Sequence, residues 1–435
     1  MELRRFGDVV GIRIEGNRPF ALHSGQLELA EISDEMFAAM ALTNLDEATP
    51  YLTLTGSPEV EEELRAWQAE QGDLQVETQP SYINSMTINV TQICNLACHY
   101  CAAGGDGTYG DPQSRISLEA ALPRVEKFLL RVPCEGEFRF VFLGGEPLLY
   151  PQGIRLIGDR ALEIAKERQF RVRFHIITNG TLLSEENLNL LAPLRPSFTV
   201  SIDGPKEIND RVRPQKDGQS STDRTLAGLR KLLERKPEFG PVQIHSVFNR
   251  HNTGVEAAWE TFHHLPVDRM EFTFDILETS TQAQEAYIEE IARVLHAAWL
   301  SGGEKEIRRI SYIDEVFTRL DGRLGKINHC SSGKGLVSLD SRGQLFACPL
   351  DVSHPDRVLK SSSIETGRVE SLHKPLIDLN NCQTCWARYF CGGGCMYSHR
   401  AHTGDRHRKD KNFCQRTRHL LALALFYYKE SRAGG

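Results

Sequence analysis

The stretch that decides the fold is Thr87-Ile-Asn-Val-Thr-Gln-Ile-Cys94-Asn-Leu-Ala-Cys98-His-Tyr-Cys101. Its first residues are mostly β-branched and apolar, which predicts a buried strand over Thr87 to Val90. Three cysteines with the spacing C-x3-C-x2-C follow that strand directly. Three thiolates on one tight loop can hold three irons of a cubane cluster and leave the fourth iron open for a substrate or cofactor. A structural zinc site needs a fourth ligand, and only the neighbouring His99 could be proposed for it.

Five more strand-like runs follow, each separated from the next by a helical pattern. One helix is predicted behind an N-cap at Ser117, another behind Thr222, and the sixth carries Ile288 to Trp299. Strict alternation of buried strands and helices predicts a parallel α/β sheet, and six units favour a partial (βα)6 TIM-like barrel. In such a sheet, ligands gather at the C-terminal ends of the strands. The five runs are Phe138 to Leu143, Val172 to Ile177, Phe198 to Ile202, Val242 to Val247 and Glu271 to Ile276.

Glycines and polar residues stand where three of these strands end. Gly144-Gly145-Glu146-Pro147 follows the second strand, Thr178-Asn179-Gly180 the third and Ser201-Ile-Asp203-Gly204 the fourth. Glycine permits close backbone approach to a ligand, and the polar side chains can bind an ammonium group or ribose hydroxyls. Each motif alone also fits an ordinary turn. Their occurrence at successive strand ends predicts a ligand site.

Charge and hydropathy exclude two classes of function. With 51 Lys and Arg against 58 Asp and Glu, the net charge is −7, which argues against a nucleic-acid binder held by a general basic surface. The longest apolar run, Leu420 to Tyr428, is far shorter than the roughly 20 residues of a membrane span, and no apolar leader follows Met1. We therefore expect a cytoplasmic protein that binds neither nucleic acid nor a membrane.

Seven of the eleven cysteines lie in the last quarter of the 435 residues. Their spacing is C-x12-G-x4-C around Gly343, then C-x2-C-x5-C-x3-C, then one more cysteine. In a cytosolic chain such clustering indicates metal or cluster ligation before disulfides, and a pair of zinc ribbons is the alternative. Cys134 stands outside every motif and is expected to be an ordinary buried thiol. The seven are Cys330, Cys348, Cys382, Cys385, Cys391, Cys395 and Cys414.

From residue 85 to about 300 the sequence resembles the radical S-adenosylmethionine (SAM) superfamily. The resemblance implies that Cys94, Cys98 and Cys101 bind a 4Fe-4S cluster whose open iron chelates SAM. It places Tyr100 near the adenine and the strand edge of Gly144, Gly145, Glu146 and Pro147 at the methionyl ammonium. It also makes Asn179 and Ser201 ribose or methionine contacts, and it puts Arg211 and Arg213 where relatives keep basic residues that meet the SAM carboxylate.

The C-terminal cysteines are similar to the seven-cysteine SPASM domain, which houses two auxiliary 4Fe-4S clusters. By position, the outer cluster would take Cys382, Cys385, Cys391 and Cys414, and the inner cluster Cys330, Cys348 and Cys395. The inner set has three cysteines, so its fourth iron is left for water, a small thiol, another side chain or a substrate thiolate. The resemblance therefore implies three 4Fe-4S clusters and SAM as cofactors.

The first 80 residues predict a small winged-helix-like α+β domain. Glu2 to Glu15 and Pro19 to Ile32 indicate strands, and Glu35 to Leu42 and Pro58 to Glu70 indicate helices. Many SPASM enzymes that modify ribosomally made peptides carry a domain of this kind, which binds the leader of the precursor as an added strand. An inert extension is the alternative. The predicted domains are thus 1–80, the radical SAM barrel 81–310 and the irregular Cys-rich SPASM domain 311–435.

The resemblance implies a peptide maturase. Reductive cleavage of SAM would give a 5′-deoxyadenosyl radical that abstracts hydrogen from the precursor, which then forms a thioether, carbon–carbon or carbon–oxygen cross-link. The reducing electron would come from a donor such as flavodoxin or ferredoxin. The general base, and hence any catalytic side chain, is not identified by the sequence.

Three alternatives remain open at this point. A sulfatase-type maturase that makes formylglycine would have an acid directly after the cysteine at position 348, where this chain has Pro349, with Asp351 nearby. A peptide epimerase would need a spare thiol, for which only Cys134 is available. A metal-binding adaptor would have no catalysis at all. The basic run Arg406 to Lys411 fits a solvated loop or a contact with an acidic peptide.

Overall fold

The computed structural model describes residues 1–44, 52–70, 72, 74–101, 109–352, 354–359 and 374–433. The chain forms two compact units. The first consists of Met1–Thr78, Leu295–Cys330 and Lys374–Gly435, and the second of Gln79–Val294 and Ser331–His373. In the described part of the chain, no helix is both long enough and apolar enough to cross a bilayer.

The N-terminal part of the first unit is an antiparallel sheet with two helices. The strand order is β4-β3-β2-β1-β5, and Phe37 and Leu64 of the helices are fully buried in its core. Each of the two predicted long strands is a hairpin, because the chain turns at Gly7 and again after His23. The elements are β1 (Glu2–Phe6), β2 (Val9–Arg13), β3 (Phe20–His23), β4 (Glu28–Glu31), α1 (Asp34–Ala39), β5 (Ala41–Thr43), α2 (Pro58–Ala69) and β6 (Gln75–Val76).

The second unit contains the six parallel strands that the sequence predicts. They pair in chain order, from β7 to β12, and all five pairings are parallel. Two further strands, β14 and β15, extend the sheet beyond β7. The six parallel strands are β7 (Ser85–Thr91), β8 (Glu137–Gly144), β9 (Arg171–Thr178), β10 (Ser197–Ser201), β11 (Val242–Phe248) and β12 (Arg269–Phe274); β14 is Leu336–Leu339 and β15 is Leu345–Phe346.

Helices connect the parallel strands as predicted, with one correction at a cap. Ser117 caps α3 by accepting a hydrogen bond from the Ala120 amide. The cap of α7 is Ser220 and not Thr222, because Thr222 lies inside the first turn and donates its hydroxyl to Asp210. The connecting helices are α3 (Leu118–Leu129), α4 (Pro151–Arg168), α5 (Glu185–Leu191), α6 (Lys206–Val212), α7 (Ser221–Glu234), α8 (Val255–Phe262) and α9 (Thr281–Ile307).

The two faces of the parallel sheet differ in chemistry. On one face, Phe140 pairs with Met86 and Phe174 in register, and all three side chains are buried. The alternate residues form the other face, where polar side chains such as His175 and Ser197 are half-buried. Because successive side chains of a strand point to opposite sides, the sheet presents one apolar face and one polar face.

The C-terminal part of the first unit is made of short elements around one long helix. Two-residue strands β6 and β13 pair in parallel. The last helix, α14, carries the apolar run noted in the sequence and buries Leu421 and Leu425. The remaining elements are α10 (Ser311–Gly322), β13 (Leu324–Gly325), α11 (Leu376–Leu379), α12 (Arg388–Cys391), α13 (Met396–Thr403) and α14 (Lys411–Ala433).

Candidate functional site

The loop after β7 carries the three closely spaced cysteines at the C-terminal edge of the sheet. Its backbone is fixed by the segment after α6, since Ala97 N–H donates to Pro214 O at 2.9 Å and His99 N–H to Val212 O at 3.0 Å. Within the loop, the Leu96 amide donates to Cys94 Sγ at 3.3 Å. Two backbone hydrogen bonds therefore hold the loop from outside, and the Cys94 thiol accepts one more from within it.

None of the three cysteines forms a disulfide, and their side chains are partly or fully buried. Burial raises the pKa of Cys94 to about 12 and that of Cys98 to about 11. Thiols in such surroundings stay protonated in the apoprotein, and a bound metal centre must displace the protons. The described residues contain no group of three or more His, Cys, Asp or Glu side chains arranged around a single metal ion. The donor set itself, three thiols on one loop, fits an iron–sulfur centre with one open iron.

The glycines after β8 are required by close packing against that loop. A Cβ on Gly144, whose φ is 142°, would lie 2.0 Å from Thr91 O, and a Cβ on Gly145 would lie 2.0 Å from Ile93 O. The Gly145 and Glu146 amides donate to Thr91 O and Ile93 O at 3.0 and 2.9 Å. Only glycine fits these two positions, so the end of β8 and the start of the cysteine loop form one tightly packed edge.

Glu146 links the end of β8 to the end of β9 by hydrogen bonds. One carboxylate oxygen accepts from the Thr178 hydroxyl at 2.7 Å and from the Leu148 amide at 2.9 Å, and the other accepts from the Asn179 amide at 2.7 Å. The side chain is 1% exposed, and burial raises its pKa above the usual value. Because its oxygens are used within the protein, this glutamate positions the strand ends.

Asn179 joins the end of β9 to the cysteine loop. Its side-chain amide donates to Asn95 Oδ1 at 2.9 Å and lies 3.6 Å from Cys94 Sγ. Its Oδ1 accepts from the Thr181 amide at 3.0 Å. Ser201, the last residue of the neighbouring strand β10, is half-buried. Asn179 thus lies beside the first cysteine of the loop.

Tyr100, Asp203 and Arg213 form a buried network beside Cys98. The Tyr100 hydroxyl donates to Asp203 Oδ2 at 2.7 Å and accepts from the Arg213 guanidinium. Asp203 Oδ1 also accepts from the Val247 amide at 3.0 Å. Burial raises the pKa of Tyr100 well above its usual value, and the phenol is protonated. The network fixes the aromatic ring of the loop to the ends of β10 and β11.

Arg211 occupies a different environment from Arg213. Arg213 is 7% exposed, whereas Arg211 is exposed and donates to His251 O at 3.1 Å. Arg211 lines a cavity of about 610 Å³ together with His99 and Arg250. The sequence treats the two arginines as equivalent. In the structure, Arg211 lies in a polar cavity and Arg213 in the buried tyrosine network.

In the first unit, four C-terminal cysteines line one cavity of about 570 Å³. Burial raises the pKa of Cys382 to about 12 and of Cys414 to about 11, and it also raises that of Cys391. We call Cys382, Cys385, Cys391 and Cys414 the outer site. Four thiols around one cavity are the donor set that a 4Fe-4S cluster requires.

The remaining cysteines are distributed as follows. Cys330 and Cys395 belong to the first unit and Cys348 to the second, so their assignment to one inner cluster stays a prediction. The expectation of a buried Cys134 is wrong. This thiol is exposed, because it lies in the turn between α3 and β8.

Sequence reasoning left out two residues that complete the site, Asp203 and Thr178. Both stand at strand ends, in motifs that the sequence analysis quotes, but their partners come from other parts of the chain. The available signal for both residues was their position directly after, or at the end of, a buried strand. This signal does not tell which of the polar residues there turns inward, because that depends on tertiary contacts.

Comparison with known families and proteins agrees with this geometry. Residues 88–247 match the family model described as Radical SAM superfamily. The serine-type anaerobic sulfatase-maturating enzyme of Klebsiella aerogenes is 24% identical over 324 residues, which cover 69% of this chain and 76% of that protein. The mycofactocin maturase MftC of Mycobacterium ulcerans is 26% identical over 332 residues, which cover 72% of this chain and 82% of that one.

Two solved structures are similar in fold. Native anSMEcpe with bound AdoMet and Cp18Cys peptide matches 81% of this chain and 99% of its own, with a TM-score of 0.63 at 18% identity. Streptococcus suis SuiB bound to S-adenosylmethionine matches 94% of this chain and 100% of its own, with a TM-score of 0.51 at 13% identity. At these identities the likeness shows a shared α/β fold.

Proposed function

This chain is a radical SAM enzyme, and we propose that it matures a ribosomally made precursor peptide by forming a cross-link within it. The observation that supports this most is the loop of Cys94, Cys98 and Cys101, packed against the Gly144–Gly145 edge of a parallel sheet. A 4Fe-4S cluster bound there supplies the electron that cleaves SAM reductively. The chain's own residues then have to bind SAM, place the peptide and exclude water.

We assign the SAM contacts to the strand ends. The backbone at Gly144 to Pro147 would receive the methionyl ammonium, and Asn179 and Ser201 would bind the ribose or methionine. Tyr100 would lie near the adenine, in an orientation supported by its hydrogen bond to Asp203. Of the two candidate partners for the SAM carboxylate, Arg213 lies beside Tyr100, whereas Arg211 lies on the cavity of about 610 Å³.

The polar face of the sheet is the proposed place for the reacting segment of the precursor. His175 lies between two hydroxyls, 2.8 Å from Ser197 Oγ and 3.0 Å from Thr199 Oγ1, and burial lowers its pKa to about 4. Asn89 is fully buried on the adjacent part of this face, and neither atom of its amide has a partner among the described residues. A buried polar group left unpaired costs about 1–3 kcal/mol, so a bound ligand or water is needed to satisfy it.

The auxiliary centres complete the proposal. The outer site and the set of Cys330, Cys348 and Cys395 would hold two auxiliary clusters of a SPASM domain over 311–435, making three 4Fe-4S clusters in all. A substrate thiolate at the open inner iron would favour thioether formation.

We further propose a partial (βα)6 barrel over 81–310, a winged-helix-like domain over 1–80, a cytoplasmic location, and a flavodoxin or ferredoxin as electron donor.

A product analysis tests the proposal. The enzyme, reconstituted with iron and sulfide, is given SAM, a reductant and a precursor encoded near its gene, and the peptide is fragmented in a mass spectrometer. We expect methionine, 5′-deoxyadenosine and a peptide that has lost two hydrogens and gained an internal link. A peptide that is recovered unmodified while SAM is cleaved would contradict the assignment as a maturase of that precursor.

A formylglycine-forming enzyme is the second candidate, favoured by the similarity to sulfatase-maturating enzymes over 69% of the chain. The acid nearest to Cys348 is Asp351, which is 8% exposed and accepts from Arg357 at 2.7 Å. This carboxylate is therefore already engaged by an arginine. The same product analysis separates the candidates. Conversion of a cysteine to formylglycine removes its sulfur, and conversion of a serine removes two hydrogens but leaves an aldehyde in a peptide that still fragments as a linear chain. A cross-link retains the sulfur and suppresses fragmentation between the joined residues.

We propose that the leader of the precursor binds beside β5, at one edge of the N-terminal sheet. The opposite edge, β4, is engaged by ion pairs of Glu31 with Lys429 at 3.1 Å and of Glu28 with Arg323 at 3.7 Å. On β5, Leu42 is 65% exposed. Just before β5, Met40 bridges Leu54, so the contact we propose is made with the exposed apolar side chain of Leu42.

Leu42→Asp is therefore expected to raise the dissociation constant of the full precursor at least about 10-fold, because it places a charge against the leader. SAM cleavage without peptide should stay at the parent rate. Leu300→Asp is the matched control, since Leu300 is 72% exposed on α9. Binding is measured by fluorescence anisotropy of a labelled precursor. Equal affinities of the two variants would show that β5 does not bind the leader.

A further inference from the structure

The surface around the outer site carries a concentration of positive charge. The cavity of about 570 Å³ is lined by the four cysteines and by five cationic side chains, and the described residues that line it include no carboxylate. The whole chain, in contrast, has a net charge of −7. This cationic surface is therefore a local feature of an acidic protein.

Two of these cations are buried next to the thiols. Arg418 is 5% exposed, and its Nη1 lies 3.9 Å from Cys385 Sγ. Arg388 is 8% exposed, donates to Cys385 O at 3.2 Å and pairs with Asp8 at 2.8 Å. A third buried guanidinium, Arg5 of β1, donates to Thr384 O at 2.7 Å. Three guanidiniums and one carboxylate thus surround the cysteine at position 385.

The buried cations favour a reduced centre. A cluster with four thiolate ligands is anionic, and accepting an electron makes it more negative. Nearby fixed positive charges in a poorly hydrated site stabilise that added charge more than they would in water. The outer site is accordingly suited to accept an electron and to hold it until a partner takes it.

The remaining cations point to the solvent. Arg408, Lys409 and Lys411 are exposed, and they belong to the basic run 406–411. The acid within that run, Asp410, is turned inward, with 6% exposure, and accepts from His402 at 2.7 Å. Lys409 donates to Asn381 O at 2.8 Å, which leaves its charge in place. The run thus presents its positive charges outward while its internal carboxylate is held within the protein.

We propose that this basic surface docks an acidic one-electron carrier protein, which exchanges electrons with the outer cluster. The proposal rests on the proposed function, because it requires a cluster at the outer site. In the step itself, the reduced cluster loses one electron and the oxidised carrier gains it, with no bond made or broken. This would remove the electron left over when the substrate radical closes the cross-link. Opposite charges on the two surfaces raise the rate of productive encounter, whereas the acidic remainder of the chain repels the carrier.

The test uses the full chain with Cys94, Cys98 and Cys101 replaced by Ala, so that the remaining clusters alone are observed. After reduction with dithionite and removal of the excess, the protein is mixed with oxidised flavodoxin in a stopped-flow instrument at several salt concentrations. We expect a rate that falls steeply with salt. Arg408→Glu, Lys409→Glu and Lys411→Glu together should slow it at least about 10-fold at low salt and remove most of the salt dependence.

The control reverses three other exposed charges, Lys127→Glu, Lys166→Glu and Arg168→Glu, which change the net charge equally. It should keep the parent rate within about two-fold, because these residues lie on α3 and α4 and none of them lines the cavity of the outer site. Arg418→Gln should lower the midpoint potential of one cluster signal in an electron paramagnetic resonance titration.

Each outcome has a distinct meaning. Equal rates for the two charge-reversed proteins, with iron content and cluster spectra unchanged, would overturn the docking surface. A loss of precursor affinity with unchanged electron transfer would also overturn it and would assign the surface to an acidic peptide instead. Absence of any cluster signal in the parent triple-Ala protein would contradict the proposed function itself, since the outer site would then hold no cluster.

Discussion

Replacing Cys94, Cys98 and Cys101 together by Ala should abolish the reductive cleavage of SAM. The three thiols are the only cysteines on the loop that packs against the Gly144–Gly145 edge, so the variant has no ligands for the cluster that SAM requires. We expect 5′-deoxyadenosine production below about one thousandth of the parent rate. Iron content should fall from about 12 to about 8 per chain, because the C-terminal cysteines remain. Chromatography of the nucleoside products and iron analysis measure the two quantities.

Cys134→Ala is the matched control. Cys134 is exposed and lies in a turn, so its removal takes away a thiol without touching a predicted ligand set. The control should keep the iron content and the rate of SAM cleavage of the parent. Deoxyadenosine formed by the triple variant at a rate near that of the control would refute the assignment of the loop. Loss of all iron from the triple variant would instead contradict the independent ligation of the C-terminal clusters.

The sequence was sufficient to predict the parallel sheet, because the residue composition of each strand distinguishes it from its surroundings. Each of the six predicted runs lies within two residues of the observed strand at either end, as for β9 (Arg171–Thr178) and β11 (Val242–Phe248). Buried parallel strands are continuous apolar or β-branched segments, and this signal is local. The same local signal predicted β1 and β2 as one strand and β3 and β4 as another. A tight antiparallel turn such as that at Gly7 interrupts the pattern for too few residues to be seen.

The candidate site was only partly predictable, for a physical reason that Arg211 and Arg213 illustrate. Both arginines belong to one short segment, and composition treats them alike. The structure buries Arg213 against Tyr100 and leaves Arg211 exposed on another cavity. Likewise, Glu146 was recognised as part of a strand end, but its hydrogen bonds to Thr178 and Asn179 depend on how β8 pairs with β9. Motifs locate such residues, whereas their partners are set by tertiary packing.

The basic run 406–411 shows the same division between local signal and tertiary placement. From sequence, a solvated loop was the simpler interpretation. The structure places Arg408, Lys409 and Lys411 on the cavity of the outer site, with Asp410 turned inward. A charge pattern thus acquires a candidate role only when the fold brings it next to a chemically defined site.

Gly145→Ala should nearly abolish SAM cleavage without removing any proposed ligand. The new Cβ would lie 2.0 Å from Ile93 O and 2.8 Å from the Cys94 amide nitrogen, which are backbone atoms and cannot move aside separately. Relief requires the cysteine loop and the end of β8 to separate. Overpacking of this kind costs about 1–3 kcal/mol of stability, and displacement of a reacting group by about 1 Å costs about 100-fold in rate. We expect at least that loss in deoxyadenosine formation, with the signals of the C-terminal clusters unchanged.

Gly322→Ala makes the same chemical change where space is available. Its Cβ would lie 3.9 Å from the Leu324 side chain, an ordinary contact, at the end of α10. Ala also favours a helix over Gly by up to about 1 kcal/mol, so this variant should unfold at an equal or higher urea concentration than the parent and cleave SAM at the parent rate. If Gly145→Ala matched Gly322→Ala in both measurements, the packed edge between β8 and the cysteine loop would not be what positions the proposed cluster for SAM.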